Sequence, residues 1–273
     1  MKRLYPELIQ YHKITVYDVA DKVLSMFDEK LSKYAIAQFK RDNIDVLTSH
    51  HVEELRPGVP ASMQNDPGVK DTPCYTVKIK EQGEIGVGMC VWSTGLMMNP
   101  FVEKSLPTPT RLPSDNLEDG QEMQGAGDHP WKVKTNPKSG AIMTNDRLRV
   151  VMEPKEAGQE GRESESQGRA VLKNVYALGD CAMMENSMYP ATAQVANQKA
   201  RWLVKRLNKG DLDTQHFTYK DLGVMAYIGN WNAIMQSSGA GDISGRVAWL
   251  IWRGAYLAKS VSWRNRILIA TYW

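Results

Sequence analysis

The sequence predicts a mixed α/β fold that contains parallel strand pairing. A β-branched segment, KITVYDV (13–19), precedes a stretch with helical periodicity (21–43), and a second strand-like segment, IDVLTSHHV (44–52), follows it. Strand, helix and strand at this spacing are typical of a βαβ unit, because two parallel strands are joined by a crossover helix. Farther along, AVLKNVYALGD (170–180) has the continuous apolar character of a strand buried in such a sheet.

The first predicted helix is amphipathic. Asp21 or Asp28 can cap its N-terminus, since a carboxylate there accepts hydrogen bonds from the first free backbone N–H groups. Its apolar residues recur at helical spacing and predict one buried face: Leu24, Phe27, Leu31, Tyr34, Ala35 and Phe39.

Two further strands and an irregular stretch follow this unit. The segment YTVKIK (75–80) reads as a strand, and GVGMCVWSTG (86–95) reads as a buried strand that ends in Thr-Gly. Residues 104–140 are rich in Pro and Gly, which predicts a long irregular connection. A calcium loop starting at Asp115 is excluded, because Leu117 and Ala126 occupy ligand positions.

The second half of the chain begins with a polar stretch and ends in helices. Residues 152–170 lack hydrophobic periodicity, which predicts a disordered insertion. A helix is expected from Thr192 to Asn208, with Gly210 ending it. The segments GVMAYIG (223–229) and NAIMQ (232–236) indicate strands, and 244–258 indicates a helix.

Composition excludes several classes of protein. The 273 residues contain 34 basic and 31 acidic side chains, which gives no bulk reason to expect nucleic acid as a partner. Cys74, Cys90 and Cys181 are far apart, so we expect no disulfide framework, cysteine zinc site or redox dithiol. No apolar run reaches the roughly 18 residues of a membrane span. The residues after Met1 resemble neither a signal peptide nor a transit peptide, and so have a cytosolic character.

Motifs of the common hydrolases and phosphate-binding loops are absent from the sequence. The five histidines form no H-E-x-x-H pair, and there is no G-x-S-x-G elbow or Walker A loop.

Asp18 is a candidate nucleotide-binding residue. It ends a strand and precedes a helix, where an acidic residue in a dinucleotide fold accepts hydrogen bonds from ribose hydroxyls. The alternative is a surface or helix-capping aspartate. The segment GEIGVG (83–88) does not replace the missing G-x-G-x-x-G motif, because its glycines have the wrong spacing and lead into a strand.

Gly179 and Asp180 form the second candidate site. A strand whose tip carries Gly-Asp would present a carboxylate at the carboxyl end of a parallel sheet, where ligands bind in α/β folds. Gly179 would let a ligand approach the backbone, and Asp180 would accept hydrogen bonds from a polyol. The alternative is an aspartate in a turn with no ligand.

The helix that follows adds two features to this site. It opens with the small residues Ala191, Thr192 and Ala193, whose backbone N–H groups can face an anion or an electron-rich ring. Gln194 and Gln198 are four residues apart and share one helical face, where their amides could bind the carbonyls of a quinone. The alternative is a solvated glutamine pair.

The C-terminus is basic and aromatic. From Ile243 onward the chain has no Asp or Glu. Such a composition favours a membrane surface, although a dimer interface, a core-packing helical hairpin and a nucleic-acid surface remain alternatives. The residues that we expect at the membrane are Trp249, Trp252, Arg253, Trp263, Arg264 and Arg266.

These motifs together resemble type II (alternative, non-proton-pumping) NADH dehydrogenases of fungal mitochondria, external type. The resemblance is carried by VYDVADKVLSMFDEKLSKYA, VWSTGLMMNP, ALGDCA…YPATAQVANQKA and GVMAYIGNWNAIMQ…SWRNRILIATYW. It implies a Rossmann-like flavoprotein fold with an FAD domain, an NADH domain and a C-terminal membrane-docking segment. It also implies hydride transfer from NADH to FAD and electron transfer to ubiquinone at the mitochondrial inner membrane, with no nucleic acid involved.

The resemblance also implies roles for the candidate residues. Asp18 would accept hydrogen bonds from the NADH ribose, and Thr94 and Gly95 would lie at the domain crossover near the flavin. Asp180, with Gly179, would bind the FAD ribityl or phosphate region, and the helix start at 191–193 would face the isoalloxazine. Gln194 and Gln198 would line the quinone site.

The implied domain organisation is incomplete. Residues 1–103 would be the remainder of the NADH domain, 104–140 the connection, 141–215 the second half of the FAD domain, and 216–273 the docking region. Both glycine-rich dinucleotide motifs of the family would precede Met1. We therefore expect this polypeptide alone to bind FAD weakly or not at all. The competing hypotheses are a non-catalytic peripheral membrane protein or degenerate copy, and a relative of the disulfide reductases, which the cysteine spacing disfavours.

Overall fold

The chain divides into two units of structure. The first unit contains residues 1–93 and 221–273, and the second contains residues 94–220. The computed structural model describes residues 6–66, 68, 73–93, 95, 97–106, 116–118, 130–155, 168–237, 239 and 241–272.

A βαβ unit begins the first unit, as the sequence predicts. Strand β1 (Ile14–Tyr17) runs parallel to strand β2 (Ile44–Leu47), and helix α1 (Glu29–Arg41) connects them. Asp28 rather than Asp21 caps α1, because its Oδ1 accepts a hydrogen bond of 3.1 Å from the Leu31 N–H.

A three-stranded antiparallel sheet follows. It consists of β3 (Val52–Pro57), β4 (Tyr75–Ile79) and β5 (Gly83–Val87). The predicted strand over 44–52 is therefore two strands. Ser49, whose φ is 57°, lies between them, and its N–H donates to the Ala20 carbonyl instead of continuing β2.

The prediction of a buried strand over 86–95 is wrong. Strand β5 ends at Val87, which pairs with Tyr75 at the start of β4, so β4 offers no partner to the residues that follow. Without a partner strand these apolar residues stay in solvent, and the side chains of Met89, Val91 and Trp92 are 77%, 73% and 58% exposed.

The second unit is built on a five-stranded mixed sheet. Its elements are α2 (Pro100–Ser105), β6 (Trp131–Val133), β7 (Ile142–Thr144), β8 (Arg149–Pro154), β9 (Ala170–Tyr176), β10 (Ala182–Met184) and α3 (Ala193–Lys209). The strand order is β10-β7-β8-β6, and β9 also pairs with β8.

The polar stretches predicted as irregular are partly ordered. Within 104–140 the structure places the end of α2 and strand β6, and residues 107–115 and 119–129 lie outside the described residues. Within 152–170 the first residues complete β8, and residues 156–167 lie outside the described residues.

Helix α3 has the ends that the sequence predicts. The Thr192 hydroxyl accepts a hydrogen bond from the Val195 N–H at 3.4 Å, and Gly210 ends the helix with a φ of 66°. Leu203 of α3 packs with Leu148, Met184 and Phe217, which places the helix against the strands.

A buried arginine connects several segments of the second unit. The side chain of Arg149 is 4% exposed, and its Nη1 lies 2.7 Å from Oε1 of Glu118 and 2.7 Å from Oδ1 of Asp213. Arg147 also contacts Glu118, at 2.9 Å. These contacts compensate the loss of water around the guanidinium.

The C-terminal part of the first unit is a second antiparallel sheet with two helices. The sheet contains β11 (Val224–Gly229), β12 (Asn232–Ser237) and β13 (Gly241–Gly245), and α4 (Arg246–Lys259) and α5 (Trp263–Tyr272) follow. Strand β13 was not predicted, because its glycines and Asp242 give no apolar pattern.

Helix α1 packs against this C-terminal sheet within the first unit. Leu31 and Ala35 of α1 form a buried cluster with Ile228 of β11 and Ile234 of β12. Among the residues that the structure describes, no helix is both long enough and apolar enough to cross a membrane.

We predict that Glu118→Gln destabilises the second unit by about 2 kcal/mol. Removing one partner of a buried ion pair typically costs roughly 3–5 kcal/mol, and Asp213 retains part of the compensation here. Urea denaturation would measure the change. Glu53→Gln is the matched control, because Glu53 pairs with Lys78 at the surface and should change stability little. Equal losses in both variants would contradict the role of the buried pair.

A pair of carboxyl groups predicts a pH-dependent stability for the first unit. Burial and the charge of Asp28 raise the pKa of Asp242, whereas the Leu31 N–H lowers the pKa of Asp28. A carboxyl with a raised pKa in the folded state stabilises the fold at low pH, and this contribution is lost as the pH rises through that pKa.

Asp242→Asn should therefore raise the melting temperature at neutral pH, and the gain should vanish near about pH 3, where the wild-type carboxyl is protonated. Thermal denaturation followed by circular dichroism over this pH range would measure it. Asp45→Asn serves as the control, since Asp45 lies beside Lys13 and should give no gain at neutral pH. A gain that is independent of pH would contradict the assignment.

Candidate functional site

A cavity in the second unit brings several predicted site residues together. Its volume is about 340 Å³, which is within the range of roughly 300–1,000 Å³ typical of ligand pockets. Gly179 and Asp180 form one wall, and Ala191 and Thr192 at the start of α3 form another. Ala193, the first residue of α3, is not among the lining residues.

Gly179 and Asp180 lie in the turn between β9 and β10. The prediction that Asp180 follows a strand of a parallel sheet is wrong for β9, because β9 pairs antiparallel with β8. The next strand, β10, is the one that runs parallel to β7. Gly179 has a φ of 88°, and a Cβ at this position would have no atom within 4 Å, so the backbone is accessible from the cavity.

The N-terminus of α3 contributes backbone donors to the same cavity. The Thr192 hydroxyl satisfies the Val195 N–H, and the first helical turn contains no acidic residue. A helix of 17 residues carries partial positive charge at this end. The wall at residues 191–192 is therefore electropositive and suits an anion or an electron-rich ring.

Lys199 is a lining residue that the sequence analysis missed. It is 3% exposed and occupies the buried stripe of α3, between Val195 and Leu203. Burial lowers the pKa of its ammonium group, and the neighbouring Cys181 partly opposes this change. Lys199 lies four residues after Val195 and four residues before Leu203, and this position in the apolar stripe could have identified it as a buried residue.

The two glutamines hold a chain segment. The Gln194 Oε1 accepts a hydrogen bond of 2.5 Å from the Tyr219 hydroxyl. Gln198 donates to the Lys220 carbonyl at 2.8 Å and accepts from the Lys220 N–H at 3.0 Å. The two amides thus hold residues 219–220 against α3. The four-residue spacing of the glutamines predicts a shared helical face but not these partners.

Asp18 lies in the first unit, at the carboxyl end of parallel strand β1. Its backbone N–H donates to the Leu47 carbonyl at 2.9 Å, which extends the pairing with β2 by one residue. Its Oδ1 accepts a hydrogen bond of 3.0 Å from the Ala20 N–H. This bond fixes the carboxylate at the edge where parallel sheets bind ligands.

The predicted crossover is described only in part. Thr94 lies outside the described residues. Gly95 has a φ of 77°, and a Cβ on it would have no atom within 4 Å, so its backbone is open to approach.

The predicted membrane residues occupy different environments. Trp249 packs on Trp231, with ring centroids 4.9 Å apart, and Trp252 stacks on Tyr227 at 5.2 Å. Arg253 lies over the Trp249 ring at 5.3 Å. Trp249 and Trp252 therefore pack α4 against β11 and the loop that follows it, whereas Arg253 contacts a ring of its own helix.

The α5 residues differ from one another as well. Trp263 is 76% exposed, and Arg264 is also exposed. Arg266 instead donates to the carbonyls of Ser260 and Ala258 at 3.0 and 3.1 Å, so it satisfies groups at the end of α4.

Comparisons with known proteins agree with the motif resemblance. Residues 222–273 match the family model of the NDH2 C-terminal domain. The whole chain aligns with 48% of the length of a probable NADH dehydrogenase from Dictyostelium discoideum, and the aligned residues are 29% identical. The whole chain also aligns with 46% of the length of the mitochondrial external NADH-ubiquinone oxidoreductase 2 from Saccharomyces cerevisiae, at 28% identity.

A solved structure shows the same fold. NDH2 from Plasmodium falciparum, solved in complex with NADH, superposes with a TM-score of 0.66 over 99% of this chain and 59% of that protein, at 16% identity. The chain spans about half the length of the curated relatives that it matches. These comparisons confirm that the chain resembles type II NADH dehydrogenases, with an NDH2 C-terminal domain over residues 222–273.

Proposed function

We propose that this chain contributes to an FAD-dependent NADH:ubiquinone oxidoreductase that does not pump protons. The observation that carries the proposal is the cavity where Gly179, Asp180, the start of α3 and Lys199 converge. The relatives named above, which are NADH dehydrogenases and NADH-ubiquinone oxidoreductases, support the same activity.

The residues of the cavity fit one end of a flavin. Gly179 leaves room for a ligand beside the backbone, and Asp180 can accept hydrogen bonds from ribityl hydroxyls. The start of α3 and the Lys199 ammonium offer positive charge to an electron-rich ring. When bound there, FAD would supply the two-electron carrier between NADH and a quinone.

The remaining roles are those that the family resemblance implies. Asp18 would accept hydrogen bonds from the NADH ribose, and residues 94–95 would lie near the flavin. Residues 1–103 would belong to a Rossmann-like NADH domain and 141–215 to the FAD domain. Gln194 and Gln198 would border the quinone site while holding residues 219–220 in place.

The C-terminal region, 216–273, would dock on a membrane surface. Exposed apolar side chains of α4 and α5 support this role, among them Val247, Leu250 and Trp263. The mitochondrial names of the relatives support a mitochondrial location, and the inner membrane is the surface that the family resemblance implies. A homodimer through the same region is compatible with this arrangement.

Flavin content and quinone reduction test the proposed activity. Protein expressed from the complete reading frame should be yellow, NADH should bleach its flavin absorbance, and a soluble ubiquinone should restore it. A colourless protein that fails to oxidise NADH, even with added FAD, would contradict the proposal. If that protein still bound anionic vesicles, it would support the non-catalytic membrane protein instead.

Lys199→Met should separate cofactor binding from stability. Without flavin, the variant should unfold at a higher urea concentration than the wild type. The reason is that burying the lysine ammonium costs its hydration free energy, whereas burying methionine has no such cost. The same change should weaken FAD binding roughly tenfold, as expected for one charge-assisted hydrogen bond.

Quenching of FAD fluorescence during titration of protein from the complete reading frame would measure the affinity. Lys205→Met is the matched control, because Lys205 lies on the exposed face of the same helix. Unchanged FAD affinity in Lys199→Met, together with a raised urea midpoint, would remove Lys199 from the flavin site.

A further inference from the structure

A second cavity lies in the C-terminal part of the first unit. Its volume is about 350 Å³, and it is lined by Trp231, Arg246, Trp249 and Leu250. Two indole rings that pack on each other, with centroids 4.9 Å apart at an angle of 51°, contribute to its lining. Arg246, the first residue of α4, places a guanidinium at an otherwise apolar opening.

Trp231 occupies an unusual position for a bulky residue. It follows Asn230 in the two-residue loop between β11 and β12, and the φ angles of the two residues are 48° and 61°. Such a loop favours Asn and Gly, because both central residues adopt positive φ. The tryptophan is nevertheless 59% exposed, so burial of its own ring does not account for its presence there.

The C-terminal segment that supplies Arg246 carries only basic charges, whereas Asp42 lies beside the neighbouring loop, where its Oδ1 accepts a hydrogen bond of 2.7 Å from Asn230. Asp242 is the last acidic residue of the chain, and five basic residues follow it. Within the described part of the chain, no carboxylate forms an ion pair with Arg246. The cavity thus combines an arginine that can bind an anion with apolar walls that favour hydrocarbon.

Exposed apolar side chains continue from the cavity along α4. Leu250 and Val247 are each 61% exposed, and Ile251 is 37% exposed. A free phosphate or a soluble nucleotide would leave these side chains in water. An anionic amphiphile matches both the arginine and the adjacent apolar surface.

We infer that this cavity is a binding site for the phosphate headgroup of an anionic phospholipid. Arg246 pairs with the phosphate, and the mutually packed indole rings of Trp231 and Trp249 lie beside the glycerol region, at the depth where indole rings settle in membrane interfaces. The acyl chains extend along Leu250 and Val247. The inference rests on the proposed membrane docking and adds a defined headgroup site to it.

Vesicle co-sedimentation of the purified chain tests the site. The probes are vesicles of phosphatidylcholine alone and of phosphatidylcholine with phosphatidylglycerol. Any single basic residue near an anionic surface should contribute about fivefold to affinity. Arg246→Gln should lower the affinity for the anionic vesicles roughly twentyfold, which is clearly more than a general surface charge explains. The matched control Arg264→Gln, on exposed α5, should lower that affinity only about fivefold.

Short-chain lipid distinguishes a site from a charged surface. Monomeric dihexanoyl phosphatidylglycerol should change the tryptophan fluorescence saturably, and both Arg246→Gln and Trp231→Ala should abolish the change. Circular dichroism of the variants would confirm that they fold. Equal losses in Arg246→Gln and Arg264→Gln, or an equal response to inorganic phosphate, would overturn the headgroup site.

Two further outcomes would also count against the inference. If the chain bound neither kind of vesicle, both membrane docking and the headgroup site would be wrong. If Arg246→Gln changed the oligomeric state in solution instead of lipid binding, the surface would be a contact between copies of the chain. The flavin assay uses neither probe, so failure of the proposed redox activity would remain distinguishable.

Discussion

Burial of a cation costs free energy, and the second unit compensates this cost with ion pairs for one buried cation but not for another. Arg149 is surrounded by partners, since its Nη1 contacts both Glu118 and Asp213. These contacts connect residues 116–118 and the turn at 212–214 to the start of β8. Lys199 is equally buried, but no carboxylate in the described residues pairs with it. Under the proposed function, an electron-rich ligand in the cavity would supply this compensation.

The packing of α3 keeps Lys199 in this position. Val195 and Leu203 lie one turn to either side of it and are both buried, so the lysine cannot leave the interior unless the helix moves. Gln194 and Gln198 fasten residues 219–220 to the neighbouring face of the same helix. A helix that is anchored at several places holds its N-terminus steadily toward the cavity, and preorganisation of this kind makes ligand binding less costly in entropy.

Elements with local signals were predictable from the sequence, and elements that depend on distant partners were not. Thr192 and Gly210 mark the ends of α3 through their own hydrogen bonds and backbone angles, which are local properties. The run 86–95 looked like a buried strand, but whether an apolar run becomes a strand depends on a partner, and β4 ends its pairing at Val87. The contacts of Gln198 escaped prediction for the same reason, because its partner Lys220 lies 22 residues away along the chain.

The C-terminal helices show why a count of basic and aromatic residues is too coarse to define a membrane surface. Arg266 is used to satisfy carbonyl groups at the end of α4, and Trp252 stacks on Tyr227 of the sheet. The stacking fixes α4 on the sheet, and the hydrogen bonds of Arg266 join α5 to the end of α4. Both contacts therefore act within the protein. The surface left for a partner is narrower, and it centres on the first turns of α4, where Arg246 lines a cavity together with two indole rings and the exposed Leu250. Affinity for a membrane should therefore depend on which arginine is replaced, because the guanidinium groups differ in how accessible they are to a lipid.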